Sequence, residues 1–296
     1  MKVFVTGGSG FVGMEIIRQL LAAGHEVRSL VHSKPVTASN PELEFWPGDA
    51  TRPETLKGVL AGCEAVIHLI GIIREFPDKQ VTFQRLHVDA TRNVLAAARE
   101  QGIKRYLHMS SNGTRPDGVA EYHKSKWAAE ELVRAAGLDA TIFRPSVIFG
   151  PGDAFVNMLA AIIRRTPVVP VIGDGEYQMT PVAVGNVATG FVRALTQPES
   201  IGEIYHCGGP QTFTYNELLD TIARALGRNG ITRIHQPVLM MRSLSTLLEK
   251  MSFFPITSGQ LTMLLEGNVC DPQPWAQTFA IELTPFDEGI RRYLHS

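Results

Sequence analysis

Tyr122 and Lys126 stand four residues apart in Tyr122-His123-Lys124-Ser125-Lys126, a spacing that puts a phenol and an ammonium on one face of a helix. A free phenol has a pKa near ~10 and is a weak base at neutral pH. An ammonium ~4 Å away, at an effective dielectric of ~20, contributes up to about 4 kcal/mol, near three pKa units. That would bring Tyr122 into range for moving a proton at a carbonyl or carbinol oxygen. Upstream, Leu107-His108-Met109-Ser110-Ser111 ends an apolar run on two hydroxyls, and Ser111 can hydrogen-bond the same oxygen opposite the phenol. Each feature alone also suits an ordinary helix start or a strand-end turn. The chemistry rests on their combination.

Such a site needs a frame, and the start of the chain supplies one. Lys2-Val3-Phe4-Val5 reads as a buried parallel strand, followed at once by Thr6-Gly7-Gly8-Ser9-Gly10-Phe11-Val12-Gly13. Gly7, Gly10 and Gly13 permit a tight turn, close backbone approach and close helix–strand packing. Residues 15–21 continue as a helix whose N-terminal N–H groups and dipole form a pyrophosphate site, with Ser9, Phe11 and Val12 around it. Strand-like runs at 27–31, 43–46, 65–69, 105–109 and 140–143 alternate with helical stretches at 88–100 and 125–136. This alternation predicts an α/β fold, a Rossmann-type doubly wound parallel sheet.

After Arg144-Pro145-Ser146-Val147-Ile148-Phe149-Gly150 the alternation loosens and prolines recur. The expected organisation is a dinucleotide-binding domain over residues 1–150 and a smaller C-terminal α/β substrate lobe over 151–296, some segments returning to the first sheet. Helices are expected at 216–226, 238–250 and 255–265. The apolar face of 238–250 suits core packing of that lobe, a wall for a hydrophobic substrate, or a docking surface.

Composition narrows the class. The 296 residues are 44% hydrophobic and 19% charged with net charge −1, which favours neither nucleic acid nor an anionic membrane. No apolar run reaches the roughly 18 residues of a membrane span. An N-terminus that is already strand and turn leaves no room for a signal peptide, so a cytoplasmic protein is expected. Cys63, Cys207 and Cys270 are widely spaced and suit a reducing compartment. The nine histidines lack metal-ligand spacing, so no metal site is expected.

Taken in order, the glycine-rich TGGSGFVG, Gly48-Asp49, His68-Leu69-Ile70-Gly71, Ser110-Ser111, YHKSK and RPSVIFGPGD resemble the extended or atypical short-chain dehydrogenase/reductase superfamily over essentially the whole chain. The resemblance implies that Tyr122 is the catalytic acid/base and that Ser111 orients the reacting oxygen. It also implies that Lys126 holds the nicotinamide ribose and lowers the tyrosine pKa. Asp49 and Ala50 would meet the adenine. Leu69, Ile70, Gly71, Met109, Pro145, Ser146, Val147 and Ile148 would line the cofactor. Residues 66–75 and the closing Leu283-Thr284-Pro285-Phe286-Asp287-Glu288-Gly289-Ile290 are similar to one branch, the nucleotide-binding accessory subunit of respiratory complex I. That branch implies NADPH binding, with or without turnover.

An NAD site usually places an acid after the second strand to accept from the ribose 2′-OH. Here that position reads His32-Ser33-Lys34, all able to donate to a 2′-phosphate, so NADP is favoured with NAD as the alternative. Relatives acting on nucleotide sugars typically carry a phosphate-gripping arginine where Met179 stands, Asp where Asn186 stands, and often Asn where His87 stands. A thioether cannot pair with a phosphate. The leading expectation is therefore an NADP-dependent oxidoreductase acting on a small-molecule carbonyl or carbinol, with a hydrophobic substrate as one option that the apolar face of 238–250 leaves open. The rivals are a non-catalytic NADPH-binding subunit docked to a larger complex and an NAD-dependent sugar-nucleotide epimerase or dehydratase. In such relatives helices flanking the Tyr122 position often form a dimer interface, so a homodimer is a further option.

Overall fold

The computed structural model describes residues 1–32, 40–166, 168–248 and 256–294. Ser33 and Lys34 lie outside these residues, as do positions 249, 250 and 255 of the expected C-terminal helices. The chain divides into two compact units.

The first unit comprises Met1–Pro145, Gly185–His206 and Gln273–Ile281. It is built on strands β1 (Lys2–Thr6), β2 (Glu26–Val31), β3 (Leu43–Pro47), β4 (Ala65–His68), β5 (Arg105–Met109) and β6 (Asp139–Pro145), with a seventh strand at Ile204–Cys207. Their order across the sheet is β3-β2-β1-β4-β5-β6 and then Ile204–Cys207. Neighbours from β3 to β6 pair in parallel. The last strand follows the same sense, since Ile142 N–H donates to Glu203 O and Ser146 N–H to Cys207 O. Because helical crossovers cover both faces, the central strands are apolar throughout rather than alternating. Val3, Phe4, Val5, Ala65, Val66 and Ile67 are all fully buried.

Three helices matter for the site. Helix α1 (Phe11–Ala22) buries Val12, Ile16, Ile17 and Leu20, an i, i+4, i+8 stripe that fixes its angle to the sheet. Helix α2 (Ala90–Glu100) buries Thr91, Val94, Leu95 and Ala98 and is entered through a turn of π-helix, Gln84–Asp89. Helix α3 (Glu121–Arg134) begins one residue before Tyr122, earlier than the expected 125. The tyrosine thus occupies its first turn.

The second unit comprises Ser146–Val184, Cys207–Pro272 and Glu282–Ser296. Its core gathers Phe149, Val156, Leu159, Ile163, Val171, Leu218, Ile222 and Phe286 around Met179. The helix Val238–Leu248 buries Met241 and Ser245 but leaves Leu239, Met240, Leu244 and Leu247 exposed. Among the described residues no helix is long and apolar enough to cross a membrane.

Candidate active site

Strand order reverses between β1 and β4, and the loops leaving those strands meet there. A Cβ on Gly7, whose φ is +74°, would lie 3.0 Å from Leu69 C and 3.1 Å from Ile70 N, so this position requires glycine. A Cβ on Gly13 would lie 2.3 Å from Gly7 O and 2.7 Å from Gly8 Cα. Helix α1 therefore sits directly against the turn, and its N-cap residue Gly10 has no side chain to cap the first N–H groups. Ser9 and Gly10 are exposed beside them. This is a crevice at a topological switch point, floored by backbone and closed by a helix N-terminus. Its chemistry fits the pyrophosphate of a dinucleotide.

At the carboxyl end of β2, His32 Nε2 lies 3.6 Å from Asp49 Oδ2, and Arg52 Nε lies 3.8 Å from the same oxygen. The other oxygen, Oδ1, accepts from the main-chain N–H and the hydroxyl of Thr51, both at 2.8 Å. Burial alone would raise the Asp49 pKa. The Thr51 hydrogen bonds and the His32 and Arg52 charges outweigh it and hold the carboxyl below its ordinary value. Ala50 is buried, and its carbonyl accepts from Asn93 Nδ2 at 2.9 Å.

Ser111, Tyr122 and Lys126 gather where β5 ends. Lys126 Nζ donates to Met109 O at 3.0 Å, and the lysine is only 2% exposed. A Cβ on Gly71 would stand 3.1 Å from that Nζ. The Ser111 hydroxyl, which pairs with Thr114 Oγ1 at 3.2 Å, also lies near enough to the Tyr122 phenol to favour its ionised form. Both side chains of the helical pair thus terminate on the stretch 109–111, while Lys126 also borders the loop after β4. Burial lowers the Lys126 pKa to about 8, against the pull of Glu130. Tyr122 is half-buried; loss of water around the phenol raises its pKa, and Ser111 only partly offsets this. This corrects the expected lowering: the low dielectric that would strengthen the ammonium's pull also penalises the phenolate.

Pro145 ends β6. Ser146, Val147 and Ile148 belong to the second unit, where Ser146 Oγ donates to Asn268 O at 2.9 Å and Ile148 pairs with Val182. Met179 is 2% exposed, pairs with Phe213, and is a core residue of that unit.

Phe83 and Glu130 carried no usable sequence signal, and His87 stood out only as a departure from the Asn common among relatives. Phe83 stacks on His87 at 5.2 Å between centroids, and both rings meet Tyr122 edge-on at 5.8 and 5.5 Å. The irregular π turn that brings them together follows no 3.6-residue period. Glu130, wholly buried, accepts from Arg144 Nε at 2.8 Å and Nη2 at 2.6 Å and from Arg134 Nη1 at 2.8 Å, pinning α3 to β6.

Residues 3–208 match the NAD dependent epimerase/dehydratase family. The chain belongs to that family. It is 36% identical over 245 residues to the ceramide reductase of Caulobacter vibrioides, covering 80% of this chain and 75% of the reductase. It is 31% identical over 228 residues to the mitochondrial NADH dehydrogenase [ubiquinone] 1 alpha subcomplex subunit 9 of Arabidopsis thaliana, covering 73% of this chain. The match spans only 56% of the plant subunit's length. Among solved structures, the dTDP-glucose 4,6-dehydratase of Streptomyces venezuelae with NAD bound superposes with a TM-score of 0.77. It covers 100% of this chain and 96% of its own at 22% identity, a likeness of fold.

Proposed function

We infer that the protein is an NADP-dependent oxidoreductase that interconverts a carbonyl and a carbinol on a hydrophobic small molecule. The observation that carries this reading is the convergence of Ser111, Tyr122 and Lys126 on the end of β5, beside a glycine crevice shaped for a dinucleotide. When bound, the dinucleotide supplies or accepts the hydride. Gly7, Ser9, Gly10, Phe11, Val12 and Gly13 would hold its pyrophosphate, and Asp49 with Ala50 the adenine end. In the reducing direction Tyr122 gives its phenolic proton to the substrate oxygen as the carbon receives hydride. Ser111 holds that oxygen in line. Lys126, anchored on Met109 O beside Gly71, presents positive charge where a phenolate forms.

Two features support NADP. Residue 32 is a histidine rather than an acid, and Arg52 adds a cation at the same edge of the sheet. A hydrophobic substrate is supported by the similarity to a ceramide reductase and by Met179, which fills a core position and grips no phosphate. The similarity to an NADH dehydrogenase subunit favours a second reading, a subunit that binds NADPH without turning it over. Titrating the purified chain with NADPH and NADH, then adding long-chain aliphatic ketones, tests both. Tighter NADPH binding with ketone-dependent oxidation is expected. Tight binding without oxidation of any ketone would favour the subunit, and tenfold preference for NADH would overturn the NADP assignment.

A further inference from the structure

A run of hydrogen bonds crosses the first unit from the residue before the glycine turn to the backbone of Tyr122, and two histidines carry it. Thr6 Oγ1 lies 2.7 Å from His68 Nδ1, and His68 Nε2 lies 3.1 Å from Thr91 Oγ1. Thr91 Oγ1 donates to His87 O at 2.5 Å. The His87 ring then continues the run, with Nε2 3.0 Å from Ile72 N and Nδ1 2.8 Å from Ser125 Oγ. Ser125 Oγ donates to Tyr122 O at 2.8 Å.

The protons can be placed without ambiguity. A main-chain N–H only donates, so His87 Nε2 accepts from Ile72 and carries no proton. The ring is then neutral with its proton on Nδ1, which donates to Ser125 Oγ, whose own proton serves Tyr122 O. Likewise Thr91 spends its proton on His87 O, so its oxygen accepts from His68 Nε2–H, and His68 Nδ1 accepts from Thr6. The two histidines hold opposite tautomers. Burial and the nearby Lys126 charge keep both rings neutral, lowering His87 to about 2 and His68 to about 3. His87 sits in the π turn, a local irregularity common at functional sites, and is 1% exposed.

We propose that His87 is a positioning residue: as the neutral Nδ1–H tautomer it ties the loop after β4, through Ile72, to the first turn of α3, through Ser125. It thereby fixes Tyr122 and Lys126 over the dinucleotide crevice. This rests on the oxidoreductase reading for its purpose, though not for its geometry. His87 touches the Tyr122 ring but moves no proton in the reaction; it acts through the loop and the helix it joins.

The test is a long-range 1H–15N correlation spectrum of the full chain carrying 15N-histidine, with the His87 signals assigned by their loss in His87→Gln. The expected result is a non-titrating His87 with a pyrrole-type Nδ1 and a pyridine-type Nε2 from pH 6 to 8, and His68 in the reverse form. A His87 protonated on Nε2, or titrating in that range, would overturn the proposal. NADPH fluorescence titration supplies the second arm. His87→Phe keeps the ring stacking and loses both hydrogen bonds, so binding should weaken about tenfold, the equivalent of one net hydrogen bond. His87→Gln, which can still accept from Ile72, should recover most of that loss. Binding by His87→Phe within twofold of the unaltered chain would overturn the positioning role alone. Failure of the unaltered chain to bind either dinucleotide would instead overturn the functional reading. Should His87→Phe not fold, Ser125→Ala removes the same link from its other end and carries the same expectation.

Discussion

Lys126 donates to the carbonyl of Met109 at 3.0 Å from a position almost wholly out of water, so the amine is held in place but poorly solvated. Its pKa falls from 10.5 to about 8. At pH 7 the lysine is protonated in both folded and unfolded chains, and the folded state bears the full cost of burying the charge. Between about 8 and 10.5 the unfolded chain still binds the proton and the folded chain has released it, so stability rises with pH. The gain is on the order of 3 kcal/mol across that window. Urea unfolding at pH 7 to 10 should show the chain gaining stability relative to Lys126→Met. Parallel pH profiles would contradict the burial argument.

Gly13 should not tolerate a methyl group. In Gly13→Ala the new Cβ would meet Gly7 O and Gly8 Cα at distances no packed carbon adopts, and both are backbone. Helix α1 must shift off the turn. Dinucleotide binding should fall at least tenfold by titration, with a loss of thermal stability; unchanged binding would show that the crevice is not the pyrophosphate seat.

Glu130 is a buried carboxylate shared by two arginines. Burial pushes its pKa up, yet hydrogen bonds from Arg144, Ser110 and Arg134 outweigh that and leave it below the ordinary value. Glu130→Ala would strand the Arg144 charge, and chemical denaturation should show a loss of about 3–5 kcal/mol. Because the folded pKa is depressed, this contribution is present above the ordinary carboxylate range and lost as pH falls below that range through the lower folded value.

His32→Asp would place a carboxylate where a ribose 2′-OH donates and a 2′-phosphate is repelled. The ratio of NADPH to NADH affinity should shift toward NADH by about tenfold. A ratio unmoved by the change would place the 2′ position elsewhere.

Much of the frame was legible because it follows from local rules. An apolar β-branched run, a glycine turn and a helix can be read at Lys2–Ala22 from residue types alone, and the parallel sheet follows from the alternation. Tyr122, Lys126 and Ser111 were legible by spacing, since helical periodicity puts the first two together and the strand end supplies the third. What stayed hidden depends on distance in sequence. The link from Thr6 to His68 crosses 62 residues and that from His87 to Ser125 crosses 38. A π turn breaks the period on which such reading relies. Lys126 was legible as a charge, but its burial appears only once β5 and the loop after β4 close over it, and so does the loss of water around Tyr122 that raises the phenol's pKa.

The proposed reaction depends on the Tyr122 phenol moving a proton to or from the substrate oxygen. Its most direct test is Tyr122→Phe, compared with the unaltered chain for NADPH affinity and for the single-turnover rate of NADPH oxidation by a long-chain ketone. Affinity within about threefold and a rate lower by roughly 10²–10⁴ are expected. An undiminished rate with intact binding would rule out Tyr122 as the proton donor.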